Sequence, residues 1–181
     1  GYRMLSSPVS GQILGSLLNN LWTQGMTGAD ASSGNANVWT LNIAGQSWTA
    51  LSDISNSGTS IAAGQGFLVY VFEDTDYDGS ADLPATISIS GTENSGNATI
   101  SSVPANAWVL AGNPYSSTID WDLISDDNNP YFGTAYVWDD ATNAYKSWNG
   151  SSGGLSGGLI APYQGFWVQN TYAPSTCLLY T

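Results

Sequence analysis

No histidine occurs among the 181 residues, and only two side chains, Arg3 and Lys146, are basic. Without histidine the commonest general base is missing, and with it the usual serine and cysteine triads. Two cations cannot neutralise enough phosphates for nucleic-acid binding. A net charge of −12 also sets the chain against anionic membranes. One cysteine, Cys177, excludes an intrachain disulfide. No run approaches ~18 uninterrupted apolar residues, so no membrane-spanning helix is expected. Charged residues make up 9% of the chain, against roughly 25% in an average soluble protein. The surface must then be covered by Ser, Thr, Asn, Gln and Gly, a style that suits secreted and cell-surface β-proteins. The chain opens on Gly1 with no signal-peptide pattern, and it reads as a processed product or an excised piece.

What is present in quantity is apolar surface and a repeat. Hydrophobic residues reach 42%, enough for a real core. "YRMLSSPVSGQILGSLL" from Tyr2 matches "WVLAGNPYSSTIDWDLI" from Trp108, so that Pro8 meets Pro114 and Ile13 meets Ile119. "NVWT" from Asn37 matches "YVWD" from Tyr136, and "SW" at Ser47 matches "SW" at Ser147. "IAAGQGFLV" from Ile61 matches "IAPYQGFWV" from Ile160, and "PATISI" from Pro84 matches "PSTCLL" from Pro174. Five blocks in one order indicate a duplication.

The reading that follows is a single all-β, sandwich-like domain over residues 1–181, made of two pseudo-repeats at about 1–106 and 107–181. Short apolar runs ended by turn residues predict strands at Tyr2–Ser6, Trp108–Gly112, "GQGFLVYVF", "YQGFWVQN", "TISIS", "TCLLY" and Asn97–Val103. "NVWTLNIAGQSWTA" and "AYVWDDATNAYKSW" predict hairpins. Ile13, Leu14, Leu17, Leu18, Leu21 and Trp22 share one face of a helix of about three turns. The second copy keeps only Ile119, Leu123 and Ile124, which predicts a helical stub.

Five of the 14 acidic residues, Glu73, Asp74, Asp76, Asp78 and Asp82, crowd into ten positions. Fourteen residues separate Val69 from Pro84, whereas five separate Val168 from Pro174, so the acidic stretch is an insertion in one copy. The pattern Asp74-x-Asp76-x-Asp78-Gly79-x-x-Asp82 suits calcium, a hard cation that takes six to eight oxygens. Asp74, Asp76, Asp78, the Ser80 carbonyl and Asp82 are the candidate ligands. Gly79 permits the sharp turn. Ala85 stands where an EF-hand carries its bidentate glutamate, so this is an EF-like loop in a β-context; Glu73, a loop carbonyl or water would complete the shell. The bland alternative is a solvated acidic turn.

Eight tryptophans invite a carbohydrate-binding reading. Rings that stay aromatic in both copies (Trp39 and Trp138, Trp48 and Trp148, Tyr2 and Trp108) are expected in the core. Trp121 and Trp167 lack aromatic counterparts and, with Tyr163, form the candidate glycan platform; Tyr115, Tyr131, Tyr145 and Tyr172 add rings to the second copy. Cys177 falls opposite Ile87 and reads as a small buried hydrophobe. Asp120 and Asp122 are the only isolated carboxylate pair beside an aromatic, with nothing to set their spacing for glycosidase work, so no enzymatic activity is expected.

"GYRMLSSP", "GQGFLVYVFEDTDYDGSADLP", "ISGTENSG", "LAGNPYSSTIDWD" and "APYQGFWVQN" together resemble a recurrent region of large secreted Bacteroidota-type proteins exported by the type IX secretion system. The resemblance implies a secreted or cell-surface, extracellular location; the sorting domain that ends such proteins is not among these residues. The expected function is a non-enzymatic structural module, calcium-stabilised and self-assembling, with a carbohydrate-binding or adhesion module as the alternative. The expected partners are further copies, other surface proteins or glycans, with no nucleic acid and no membrane insertion. Asn97–Val103 has no counterpart after "PSTCLL". That predicts an open strand edge on the second copy and head-to-tail association there.

Overall fold

The computed structural model describes residues 1–55, 60–124, 133–171 and 175–179. Tyr131, Tyr172 and the side chain of Cys177 lie outside the described part. The first unit contains β1 (Tyr2–Leu5), β2 (Gln12–Ile13), α1 (Leu14–Leu17), β3 (Val38–Asn42), β4 (Ser47–Ala50), β5 (Ser60–Ile61) and β6 (Phe67–Tyr70). Then follow β7 (Ala98–Val103), β8 (Trp108–Gly112), β9 (Ile119–Asp120), α2 (Trp121–Ile124), β10 (Ala135–Asp139) and β11 (Ala144–Trp148). The last elements are β12 (Leu159–Ile160), β13 (Gly165–Gln169) and β14 (Ser175–Leu179).

The protein is an all-β, sandwich-like body with two antiparallel four-stranded sheets. Their orders are β1-β6-β3-β4 and β8-β13-β10-β11, the same order of matched strands. Side chains alternate along each strand with the period of two that extended backbone imposes. Leu5, Val38, Phe67 and Val69 face one core with Leu14, Leu17 and Ile54. Val109, Ala111, Phe166 and Val168 face a second core with Trp121, Ile124 and Ile160. The opposite faces of both sheets meet over Met4, Leu68 and Leu110.

Three expectations need correction. The long helix of the first copy is one turn, Leu14–Leu17. Leu18 already leaves helical geometry at φ −96°, ψ 10°, and the following Asn19 and Asn20 compete for backbone hydrogen bonds instead of extending the turn. Leu18 and Leu21 are still buried, which explains the apolar periodicity. "TISIS" forms no strand. And β7, counted with the first copy, pairs antiparallel with β14, from Leu179↔Ala98 to Ser175↔Val103. Ala98 and Val103 belong to the second core. The strand expected to leave the second copy's edge open therefore covers it.

The two units lock together reciprocally. Leu5 bridges Gln164 while Ala111 bridges Gln65, the matched residues of the two QGF motifs. Ser6 N–H donates to the Tyr163 carbonyl at 2.9 Å, and Gly112 N–H donates to the Gly64 carbonyl at 2.8 Å. A Cβ on Gly112 would stand 2.2 Å from Ser6 Cβ. Gly112→Ala should therefore lower stability by about 1–3 kcal/mol through overpacking. An unchanged denaturant midpoint would show that this joint is loose.

Candidate functional site

Opposite its core, each sheet carries rings. Tyr2, Trp39, Leu41 and Leu68 come from the first sheet, and Trp108, Tyr136, Trp138 and Trp167 from the second. They converge on a groove made of two adjoining hollows. One, of about 610 Å³, is bounded by Leu41, Gln46, Trp48, Trp108, Tyr136, Tyr145 and Trp167. The other, of about 590 Å³, is bounded by Tyr2, Met4, Trp39, Leu68 and Trp138, and shares Trp48, Tyr145 and Trp167 with the first. The ridge between the hollows is a contact across the units: the Trp48 and Trp167 rings meet edge-on at 5.7 Å. Trp108 stands edge-on to Tyr136 at 5.5 Å, and Trp138 to Tyr145 at 5.0 Å. Edge-to-face pairs of this kind hold rings at fixed angles.

Polar groups fix the groove's walls. Trp167 Nε1–H donates to the Tyr145 hydroxyl at 3.2 Å. Gln46, at the tip of the β3–β4 hairpin, clamps β8 of the other unit. Its Nε2 donates to the Trp108 carbonyl at 3.0 Å, and its Oε1 accepts the Trp108 N–H at 2.8 Å. The β10–β11 tip answers it: Asp140 takes both Arg3 guanidinium nitrogens, at 2.8 and 2.7 Å. Lys146 pairs with Asp139 at 2.8 Å. The Lys146 hydrogen bond, then that of Thr142, holds the Asp139 carboxyl below its ordinary range. Both basic side chains are thus engaged with acids, and no charged residue lines either hollow.

The expected glycan platform is divided by the structure. Trp167 lines both hollows. Trp121 is fully buried against Phe166, with the rings 5.5 Å apart, so it has no face to offer a ligand. Its match in the first unit is Gly15, where an added Cβ would meet the Ile54 carbonyl at 2.6 Å. The backbone of buried Ile54 thus lies where a side chain at position 15 would have to go. Tyr163 packs on the first core at φ 62°. The expectation that paired aromatics are core residues is corrected as well: Tyr2, Trp39, Trp108 and Trp138 line the groove, and Trp48 is 41% exposed. Trp148 is not the equivalent of Trp48. Trp48 pairs with Leu41 on the groove face, whereas Trp148 pairs with Ala135 on the core face.

The acidic insertion lies apart from this groove. Asp74, Asp76 and Asp78 bring carboxylate oxygens within 4.8 Å of one another. Asp74 is the hub: one oxygen accepts the Tyr77 N–H at 2.6 Å and the other accepts the Gly79 N–H at 2.8 Å. Desolvation is the largest single influence on its carboxyl and pushes it up, but the N–H donors of Gly79, Tyr77, Asp78 and Asp76 together outweigh it and hold the carboxyl below the ordinary value. Ser80 N–H donates to Asp78. Asp82 stands outside the three-carboxylate group and closes the loop, accepting the Thr75 N–H at 2.7 Å. Gly79 sits at φ 96°, a conformation that excludes side chains. Tyr77 stacks on Trp22 at 4.6 Å, pinning the loop to the first unit.

Asp120 accepts the Asp122 N–H at 2.9 Å, and Asp122 accepts Trp148 Nε1–H at 2.7 Å, so both serve local structure. Among the described residues no helix is long and apolar enough to cross a membrane. No protein-family model, curated protein or solved structure matches the chain.

Proposed function

We propose that this chain is a non-enzymatic extracellular adhesion module that binds neutral glycans in the aromatic groove. One observation carries the reading: rings from both units converge on one open, uncharged groove. Sugar rings present flat C–H faces that stack on indoles and hydroxyls that need partners. Trp48 and Trp167 supply the former, and the Tyr136 and Tyr145 hydroxyls the latter. Two open hollows side by side, sharing Trp48, Tyr145 and Trp167, favour a chain-like ligand over a small enclosed one. The low charge and the resemblance to exported surface proteins support the extracellular location. A glycan array probed with the whole chain tests the reading: saturable binding to neutral oligosaccharides is expected, and an array without hits sinks it.

The acidic loop holds calcium in this reading. The Asp74, Asp76 and Asp78 carboxylates are the side-chain ligands, and the Ser80 carbonyl and Asp82 are the further oxygens. An ion bound only by the folded chain stabilises it by about 2.7 kcal/mol at a hundredfold excess over Kd. Chelation should therefore lower the melting temperature of the wild type, and Asp76→Ala should remove that sensitivity. A melting temperature indifferent to calcium and chelator argues against the ion.

A second reading, a structural building block that associates head to tail, draws on one observation: residues 85–90 lie extended on the first core without a strand partner among the described residues. Light scattering that reports a strict monomer at high concentration with calcium present counts against it.

A further inference from the structure

The internal repeat assigns a covering strand to one unit and leaves the matching place in the other without one among the described residues. β14 matches "PATISI", and β14 is laddered to β7. In the first unit Ala85, Ile87 and Ile89 rest half-buried on the core, while Thr86, Ser88 and Ser90 are exposed. That alternation is the signature of extended backbone with one face down. Yet no residue from 85 to 90 enters a ladder among the described residues. The hydrogen bond recorded to this backbone comes from a side chain, Asn20 Nδ2–H to the Thr86 carbonyl at 2.8 Å.

We propose that residues 85–90 are a strand acceptor, and that their occupant is an uncharged extended segment of another polypeptide with the chemistry of β7. The side chains required are small or branched and apolar at the spacing of Ala98, Ile100 and, past the register shift, Val103 in β7. Apart from the Thr86 carbonyl, the N–H and C=O groups of this stretch that have no partner among the described residues supply the ladder, and the apolar face supplies the seat. Protected edges carry lysines, inward charges or mid-strand prolines; Ala85–Ser90 has none of these. An open hollow of about 870 Å³ borders Ser88–Ser90, with Val9–Ile13 among its walls. The matched place in the second unit shows the direction: β7 runs antiparallel to β14 and leads into β8, the counterpart of β1. The inference stands on the backbone of residues 85–90 and does not depend on any ligand in the groove.

The test uses the whole chain and a synthetic peptide with the sequence of residues 97–104, titrated into the millimolar range and followed by amide hydrogen exchange. Saturable slowing of exchange at Thr86–Ser90, at least tenfold, is expected; the same peptide N-methylated at alternate amides should have no effect. Weak affinity is met by a second variant in which residues 97–107 are duplicated directly ahead of Tyr2, raising the effective concentration to about millimolar. That variant should protect the same amides and raise the melting temperature. Unprotected amides at Thr86–Ser90 in both experiments, or protection confined to other residues, would overturn the proposal.

Discussion

Trp167→Ala is expected to weaken glycan binding by at least about thirtyfold, which corresponds to roughly 2 kcal/mol for a buried aromatic anchor. Trp167 borders both hollows, stands edge-on to Trp48 and is tied to the Tyr145 hydroxyl. Its truncation removes the stacking face and frees Tyr145 at once. Trp48→Ala should act in the same direction, because it forms the other half of the ridge. Neither ring belongs to the buried part of either main core, so both variants should remain folded, with melting temperatures within a few degrees of wild type. Binding unaffected by both substitutions would place the ligand elsewhere.

Trp121→Ala should show the opposite profile. The indole, at the start of α2, is fully buried and packs edge-on against Phe166 of β13. Removing it leaves a cavity, and large-to-small changes of this kind cost about 3–5 kcal/mol. For a chain of this size, each kcal/mol moves the melting temperature by roughly 2–4 °C, so a drop of about 6–20 °C is expected in thermal unfolding. Binding measured well below that transition should be nearly unchanged. A Trp121→Ala variant with wild-type stability but no glycan binding would reverse the roles assigned to the two tryptophans.

Read as sequence alone, the repeat puts both tryptophans on the glycan platform, and the reason it misleads over Trp121 is physical. Aromatic identity in both copies was taken as a mark of the core. In fact the two sheets present equivalent faces to a shared groove, so the groove is the place where duplication repeats its rings. The signal was available in the alternation of "NVWTLN", where Val38 and Trp39 must point opposite ways. Knowing which face was the core required knowing that Leu14 and Leu17 pack on Val38 and Phe67, a tertiary fact. Trp121 looked free because its match is Gly15, and Ile54, whose backbone lies where a side chain there would have to go, is remote in sequence.

Other features were legible for sound reasons. The hairpins β3–β4 and β10–β11 follow from alternating runs around short polar turns. The duplicated blocks correspond to one sheet order written twice. The DxDxDG spacing brought three carboxylates together, because a tight turn at Gly79 leaves them little choice. The length of α1 was misread, since Leu18 and Leu21 are buried by a turn that is not helical. Strand partners were the least legible feature. "PATISI" and "PSTCLL" look alike, but only one of them has a β7 beside it, and pairing depends on what lies across the gap.

Isothermal titration of the whole chain with the best neutral oligosaccharide from an array, in parallel with the Trp167→Ala and Trp121→Ala variants, tests the groove most directly. The groove account predicts saturable binding by wild type, loss of at least about thirtyfold in Trp167→Ala, and retention in folded Trp121→Ala. Equal affinity in wild type and Trp167→Ala would contradict it.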